Sequence, residues 1–205
     1  MKNFYIILIL IFSFTIFSCA KKSDTSSTTT TTTELEGIWK TICHLDSDNI
    51  SYIRTVTVSG TDAVETIEAH TDSSCANDWY KWDDSYSSLS IEDEVTFDDG
   101  TKGHKYTLNV ASKNFTPQSS SYVSTLNSLS TCGYSDWTLN TSKDLAGVTC
   151  AAGTYNLKNT TGKGLYNLVG NNLFLGGFIT TGSYPTEVSL ALTFVKQYIL
   201  FNPLG

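Results

Sequence analysis

The body of this chain is written in twos. From Ile50 to Val58 polar and apolar residues alternate, and Ile50, Tyr52, Val56 and Val58 fall on one side, since successive side chains of an extended strand point to opposite faces. Ser59-Gly60-Thr61-Asp62 is a turn, and Ala63 to Thr71 runs back. Leu89 to Phe97, Asp98-Asp99-Gly100 and His104 to Ala111 form a hairpin signal, as do Leu165 to Val169, Gly170-Asn171-Asn172 and Leu173 to Leu175. Trp137 with Leu139 and Tyr155 with Leu157 mark further strands, and a last one starts after Pro185 with Val188, Leu190, Leu192 and Phe194 facing one way. Only one segment has a helical period. Opened by Pro117-Gln118-Ser119-Ser120-Ser121, it aligns Tyr122, Leu126 and Leu129 and ends at Cys132-Gly133, a short helix around residues 118–130. Short strands joined by short turns, with no long crossover, predict an all-β, up-and-down antiparallel barrel or a meander sandwich. Closure would also hide the strand edges.

Composition agrees. The chain has only three prolines and is rich in Thr, Ser, Tyr, Gly and Asn, which suits strands and turns. Its formal net charge of −7 argues against nucleic acid as a partner and against a basic membrane-binding face. Five cysteines are one near the start plus Cys43, Cys75, Cys132 and Cys150. Four cysteines in an oxidising compartment suggest two disulfides among three possible pairings. The sequential one, Cys43 with Cys75 and Cys132 with Cys150, joins neighbouring strands of a meander without crossing a barrel. Zinc ligation would need clustered Cys/His spacing, which is lacking.

The start of the chain gives an address. Met1-Lys2-Asn3 is followed by an uncharged apolar run, Phe4 to Phe17, ending in Ile16-Phe17-Ser18-Cys19. The run is of signal-peptide length and short for a bilayer span. Its end resembles the lipobox of bacterial lipoproteins: an aliphatic residue three before the cysteine, a small one just before it, and a thiol to take the diacylglyceryl group. That resemblance implies a signal peptide at residues 1–18, membrane attachment through lipid on Cys19 and, with Ala20 rather than aspartate next, sorting to the outer membrane. Lys21 to Thr33 holds no apolar residue and ends in six consecutive threonines, so residues 19–35 are expected to be a disordered tether. The folded domain is then residues 36–205.

A second resemblance lies at the head of that domain. Gly37-Ile38-Trp39 is similar to the G-x-W of the lipocalin superfamily. Cys43, Asp72-Ser73-Ser74-Cys75 and the late Tyr166-to-Leu173 stretch follow in the order of small lipocalin-like bacterial lipoproteins. Lys196 stands near where that family carries the arginine that covers the Trp. The resemblance implies a lipocalin-like barrel plugged at one end by Gly37 and Trp39, with a small apolar or amphiphilic ligand in its lumen.

Little chemistry is written in the side chains. His44, His70 and His104 are isolated, and no H-E-x-x-H, G-x-S-x-G or phosphate-binding glycine loop occurs. Glu68 and His70 alternate on one strand face and are expected at the solvent surface. The carboxylates Asp83, Asp84, Glu92, Asp93, Glu94, Asp98 and Asp99 lack calcium-loop spacing and read as a solvated rim. No catalytic residue, cofactor or metal is expected, and the chain reads as a binding protein rather than an enzyme. Arg54 lies on an apolar strand face, either directed into a barrel or turned outward by a register break. Trp79-Tyr80-Lys81-Trp82 is the densest aromatic stretch. Placed in a loop at a barrel mouth, Trp79, Tyr80 and Trp82 would form a recognition patch, the alternative function being contact with a macromolecular partner at the cell surface.

Overall fold

The computed structural model describes residues 33–46, 49–97 and 100–198. Residues 1–32, with the apolar run, Cys19 and most of the tether, lie outside them. The strands are β1 (Gly37–Lys40), β2 (His44–Leu45), β3 (Ser51–Ser59), β4 (Asp62–His70), β5 (Asp78–Thr96), β6 (Lys102–Pro117), β7 (Lys143–Asp144), β8 (Thr149–Cys150), β9 (Gly153–Thr154), β10 (Thr161–Val169), β11 (Asn172–Leu175) and β12 (Phe194–Gln197). Among the described residues one α-helix, α1 (Ser120–Ser128), follows β6.

Sequential neighbours pair antiparallel. The path runs β3, β4, β5, β6, β10, β11, β12, β1, and β1 returns to β3, closing the sheet as a ring of eight strands. The chain is therefore mostly β in up-and-down order, as the alternation predicts. β5 and β6 are the long members, 19 and 16 residues. Three register shifts along their pairing let β5 bend around the closed sheet, since an extra residue on one strand kinks it and raises its twist. The segment between β6 and β10 is an insertion: α1, a 3-10 turn at Thr131–Gly133, β7 on the free edge of β6, and the β8–β9 hairpin.

Two apolar clusters result. The first fills the closed sheet with Leu35, Trp39, Val58, Tyr106, Leu108, Tyr166, Leu173 and Phe194 at its centre. The second gathers Phe115, Leu126, Trp137 and Leu145, where the insertion packs on the far halves of β5 and β6. Both disulfides pair as expected. Cys43–Cys75, with α-carbons 5.9 Å apart, ties the segment before β2 to the β4–β5 turn, and Cys132–Cys150 at 4.3 Å staples the insertion to itself. Asp72 shapes the first of these corners: its carboxylate accepts the backbone N–H groups of Ser74, Ala76 and Asn77 at 3.0, 3.2 and 2.6 Å. The Ser74 hydroxyl above all, and these backbone bonds with it, hold its pKa well below the usual carboxylate range.

Several expectations are corrected. Trp137 and Leu139, and Tyr155 and Leu157, are not in strands. Trp137 is instead fixed by Asn127, which accepts its backbone N–H at 2.6 Å and donates to its carbonyl at 2.9 Å. The last strand begins at Phe194 rather than after Pro185; before it the chain makes a single bridge, Val188 to Gly176. Leu129 caps α1 from outside and is exposed. Leu35 does not belong to the tether. It is 5% exposed, and its carbonyl accepts the Trp39 indole N–H at 2.7 Å, so the body starts before residue 36.

Candidate functional site

Trp39 sits 1% exposed between β3 and β12, register partner of both Val56 and Lys196. The Lys196 ammonium lies 4.8 Å from the centre of its indole, an arrangement worth about 0.5–2 kcal/mol depending on desolvation. Gly37, two residues earlier, has φ +118°, a conformation that side chains other than hydrogen rarely adopt. Lys196 thus covers the Trp of the G-x-W segment, and Leu35 adds the next layer.

Inward-facing residues from neighbouring strands form rows. Val58, Ala63, Tyr86 and Val110 make one; Val56, Glu65, Asp84 and Lys113 the next; Arg54, Ile67, Trp82 and Phe115 a third. The middle row is charged. Lys113 pairs with Asp84, and its ammonium lies 4.7 Å from the Trp82 ring centre and 5.4 Å from that of Tyr155. Arg54 reaches Glu65 through Nε at 3.0 Å and lies over Phe194. Of the two readings the sequence left for Arg54, the inward one holds, because the β3–β4 register is unbroken beside it. Burial raises the Asp84 pKa, Lys113 opposes the shift, and Glu65 adds to it. Burial likewise lifts the phenols of Tyr86 and Tyr106 far above their usual range, so both stay neutral.

Beside this row the interior is nearly full. A cavity of about 60 Å³ remains, lined by Leu35, Val56, Glu65, Tyr86, Tyr106 and Phe178 among others. Gly162 and Gly164 explain how the large rings fit: a Cβ on Gly164 would come within 2.3 Å of Tyr106, and one on Gly162 within 1.9 Å of Phe178. Ligand pockets typically offer about 300–1,000 Å³.

More room lies outside. The outer face of β6 and β10, the end of β5 with Phe97 after it, and a strap at Gly182–Thr186 bound a cleft of about 580 Å³. Leu165 and Phe97, both buried, floor it, and the half-buried Val95 and Pro185 supply its apolar surface. Lys105 and Lys163 rise from the two strands, their ammonium groups 5.1 and 5.5 Å from the centre of the Tyr184 ring on the strap. Lys163 also donates to the Gly182 carbonyl at 3.0 Å. Tyr184 donates its hydroxyl to Glu92; desolvation and that bond push its pKa up to about 12. The sequence did not single these residues out. The available signal was Gly162-Lys163-Gly164, a lysine whose neighbours on the strand carry no side chain.

The aromatic stretch is elsewhere. Trp79, Tyr80 and Trp82 lie within β5, not in a loop, and are half-buried. Trp79 packs on Tyr80 and Tyr122 at 5.0 and 4.7 Å, and Trp82 on Phe115 and Tyr155 at 4.7 and 5.2 Å. They serve the second core cluster. His70 also departs from expectation: a register shift at Ala69/His70 re-aims it, and it is 4% exposed beside the buried Ser51. Its Nδ1 is 3.2 Å from the Asp78 carboxylate, out of line for a hydrogen bond, and the Ser51 hydroxyl is likewise unpartnered. The expected acidic rim is partly tied down, by Lys81–Asp83, Lys113–Asp84 and Lys102–Glu94. Asp98 and Asp99 lie outside the described residues. Among the described residues no group of His, Cys, Asp and Glu is arranged to hold a metal ion. Compared with protein-family models and with curated proteins, the sequence matches none.

Proposed function

We propose that this protein is a lipid-anchored lipoprotein of the cell envelope, attached through Cys19 and sorted to the outer membrane, whose lipocalin-like barrel carries a small amphiphilic ligand on its flank. The observation that carries the binding reading is the disparity in room: about 580 Å³ in the outer cleft against about 60 Å³ within the closed sheet. An eight-stranded barrel is just wide enough for its own side chains to fill, and here Trp39, Tyr106, Tyr166 and Phe194 do so. The lumen, where the sequence places the ligand, is thereby a poor seat. The cleft combines apolar surface with converging polar groups, the usual make-up of a small-molecule site.

Native mass spectrometry on the chain isolated from its membrane tests the seat. A small molecule retained by the natural chain and lost from Ser183→Trp, which fills the cleft from the strap, is the expected result. Equal retention by both would move the ligand elsewhere, and none in either would remove the binding reading. The anchor is tested separately: radiolabelled palmitate should enter the natural chain and not Cys19→Ala, and label persisting in the variant would refute attachment at that thiol.

A further inference from the structure

We infer that the ligand of the flank cleft is an organic anion with an apolar body, its charged group held between Lys105 and Lys163; this inference rests on the cleft being the binding seat. Two ammonium groups converge on one phenol ring there, 5.1 and 5.5 Å from its centre. Among the described residues neither lysine forms an ion pair. Like charges brought together without a counter-charge repel, and the ring face offsets only part of that repulsion. The chain as a whole is acidic, with formal net charge −7, so the two lysines run against its overall sign. The Glu92 carboxylate accepts the Tyr184 hydroxyl. That bond turns the phenol edge toward the carboxylate and leaves its electron-rich face to the lysines.

The remaining lining says what the rest of the ligand is. Val95, Phe97, Leu165 and Pro185 are apolar, and Thr96, Ser183 and Thr186 bring hydroxyl groups. A carboxylate, sulfonate or sulfate meets both ammonium groups while an aliphatic or aromatic body lies against the half-buried Val95 and Pro185. A neutral amphiphile leaves the two charges unanswered, and an inorganic anion leaves the apolar surface wet.

The test uses two dyes with the same aromatic body, 8-anilinonaphthalene-1-sulfonate, which is anionic, and N-phenyl-1-naphthylamine, which is neutral. The protein is the chain from residue 19 onward with Cys19→Ala, so that tether and body are complete and no lipid competes. Fluorescence titration should show the sulfonate binding about tenfold tighter than the amine, a preference of the size that two partly exposed ion pairs supply. Lys105→Met with Lys163→Met keeps the aliphatic stems and should bring the two dyes to equal affinity; Ser183→Trp should weaken both dyes alike. Equal affinities in the natural chain, or a sulfonate preference that survives the lysine replacements, overturns the anion inference while leaving the cleft as a seat. Binding of both dyes unaffected by Ser183→Trp, or no binding of either, removes the seat and the inference with it. Near-ultraviolet circular dichroism of each variant, matching the natural chain, excludes misfolding as the cause of any loss.

Discussion

Lys113→Met isolates the energetic weight of the charged row. The substitution keeps the length and apolar stem of the side chain but removes the ammonium that faces Asp84. Asp84 is 8% exposed, and its Oδ1 already lacks a hydrogen-bond partner. Removing one member of a fully buried ion pair destabilises a protein by about 3–5 kcal/mol, because the other charge stays behind in low dielectric. The Lys113 side chain keeps 23% of its exposure, so water relieves part of that penalty and the expected loss at pH 7.5 is about 2–3 kcal/mol. The loss should depend on pH. Burial raises the Asp84 pKa in the fold, and Lys113 is the first group opposing it, so the variant raises it further. A carboxyl whose folded pKa is raised binds its proton more tightly in the fold than in the unfolded chain. Its favourable contribution is complete below the ordinary carboxyl pKa and is lost as pH climbs through the raised value. The gap between Lys113→Met and the natural chain should therefore narrow as pH falls from 7.5 to 5. Urea unfolding followed by tryptophan fluorescence, disulfides intact and ionic strength fixed, measures it. Asp84→Leu combined with Lys113→Met should recover most of the loss, since a buried pair replaced by apolar side chains is often neutral or better. A gap below about 1 kcal/mol at pH 7.5, a gap that ignores pH, or a double variant no better than the single one refutes the reasoning.

Four further outcomes are expected. Trp39→Ala should destabilise by about 3–5 kcal/mol as a large core side chain is lost, whereas Lys196→Ala should remove about 1 kcal/mol and Lys196→Arg almost none; thermal and urea melts rank the three. Gly164→Ala drives a methyl into the Tyr106 ring and should lower stability by about 1–3 kcal/mol, read from the urea midpoint. Ser51→Ala removes an unpartnered hydroxyl at 1% exposure and should leave stability unchanged or raise it by about 1 kcal/mol; a comparable loss would mean that the hydroxyl is bonded. Non-reducing peptide maps should contain Cys43–Cys75 and Cys132–Cys150 and no crossed link, and Cys132→Ala with Cys150→Ala should lower stability by about 3 kcal/mol for a loop of this length.

Where polar and apolar residues alternate in short runs, the sequence discloses the fold. The β3–β4 and β10–β11 hairpins and α1 were legible because each depends on neighbours in the chain or on a local turn; both disulfides followed from the meander order, and the burial of Trp39 from the G-x-W resemblance. The failures share a cause. Asp83-Asp84-Ser85-Tyr86-Ser87 reads as solvent-exposed, yet it lies mid-strand with Asp84 inward, and the lysine that makes this tolerable is 29 residues away. Trp137 and Tyr155 read as strand residues because aromatic side chains favour strands. Their positions are set instead by Asn127 and by the second cluster, which only tertiary packing assembles. Val188, Leu190 and Leu192 alternate like a strand, but Leu190 is 60% exposed and no ladder receives that segment beyond one bridge. The cleft was illegible for the same reason: Lys105, Lys163 and Tyr184 come from three separate stretches of chain.

The charged row also bears on why a ligand would sit on the flank. Glu65, Asp84 and Lys113 stand opposite one another on three adjacent strands, between the apolar row of Val58 and Ala63 and the row of Trp82 and Phe115 on which the insertion packs. A slip of one residue in either pairing would carry one of these charges to the outer face and leave its partner inside alone, so the row disfavours the wrong register even where it adds little to stability. The same row divides the interior. An acyl chain entering the lumen would have to run past Arg54, Glu65, Asp84 and Lys113, or displace Tyr106 and Phe178 from the space left by Gly164 and Gly162. Either route strips paired charges of their partners or forces tightly packed aromatic rings apart. On the outer face of β6 and β10 no such obstacle stands. Leu165 is already covered by the strap, and a ligand there needs only to settle against surface that the fold has left concave.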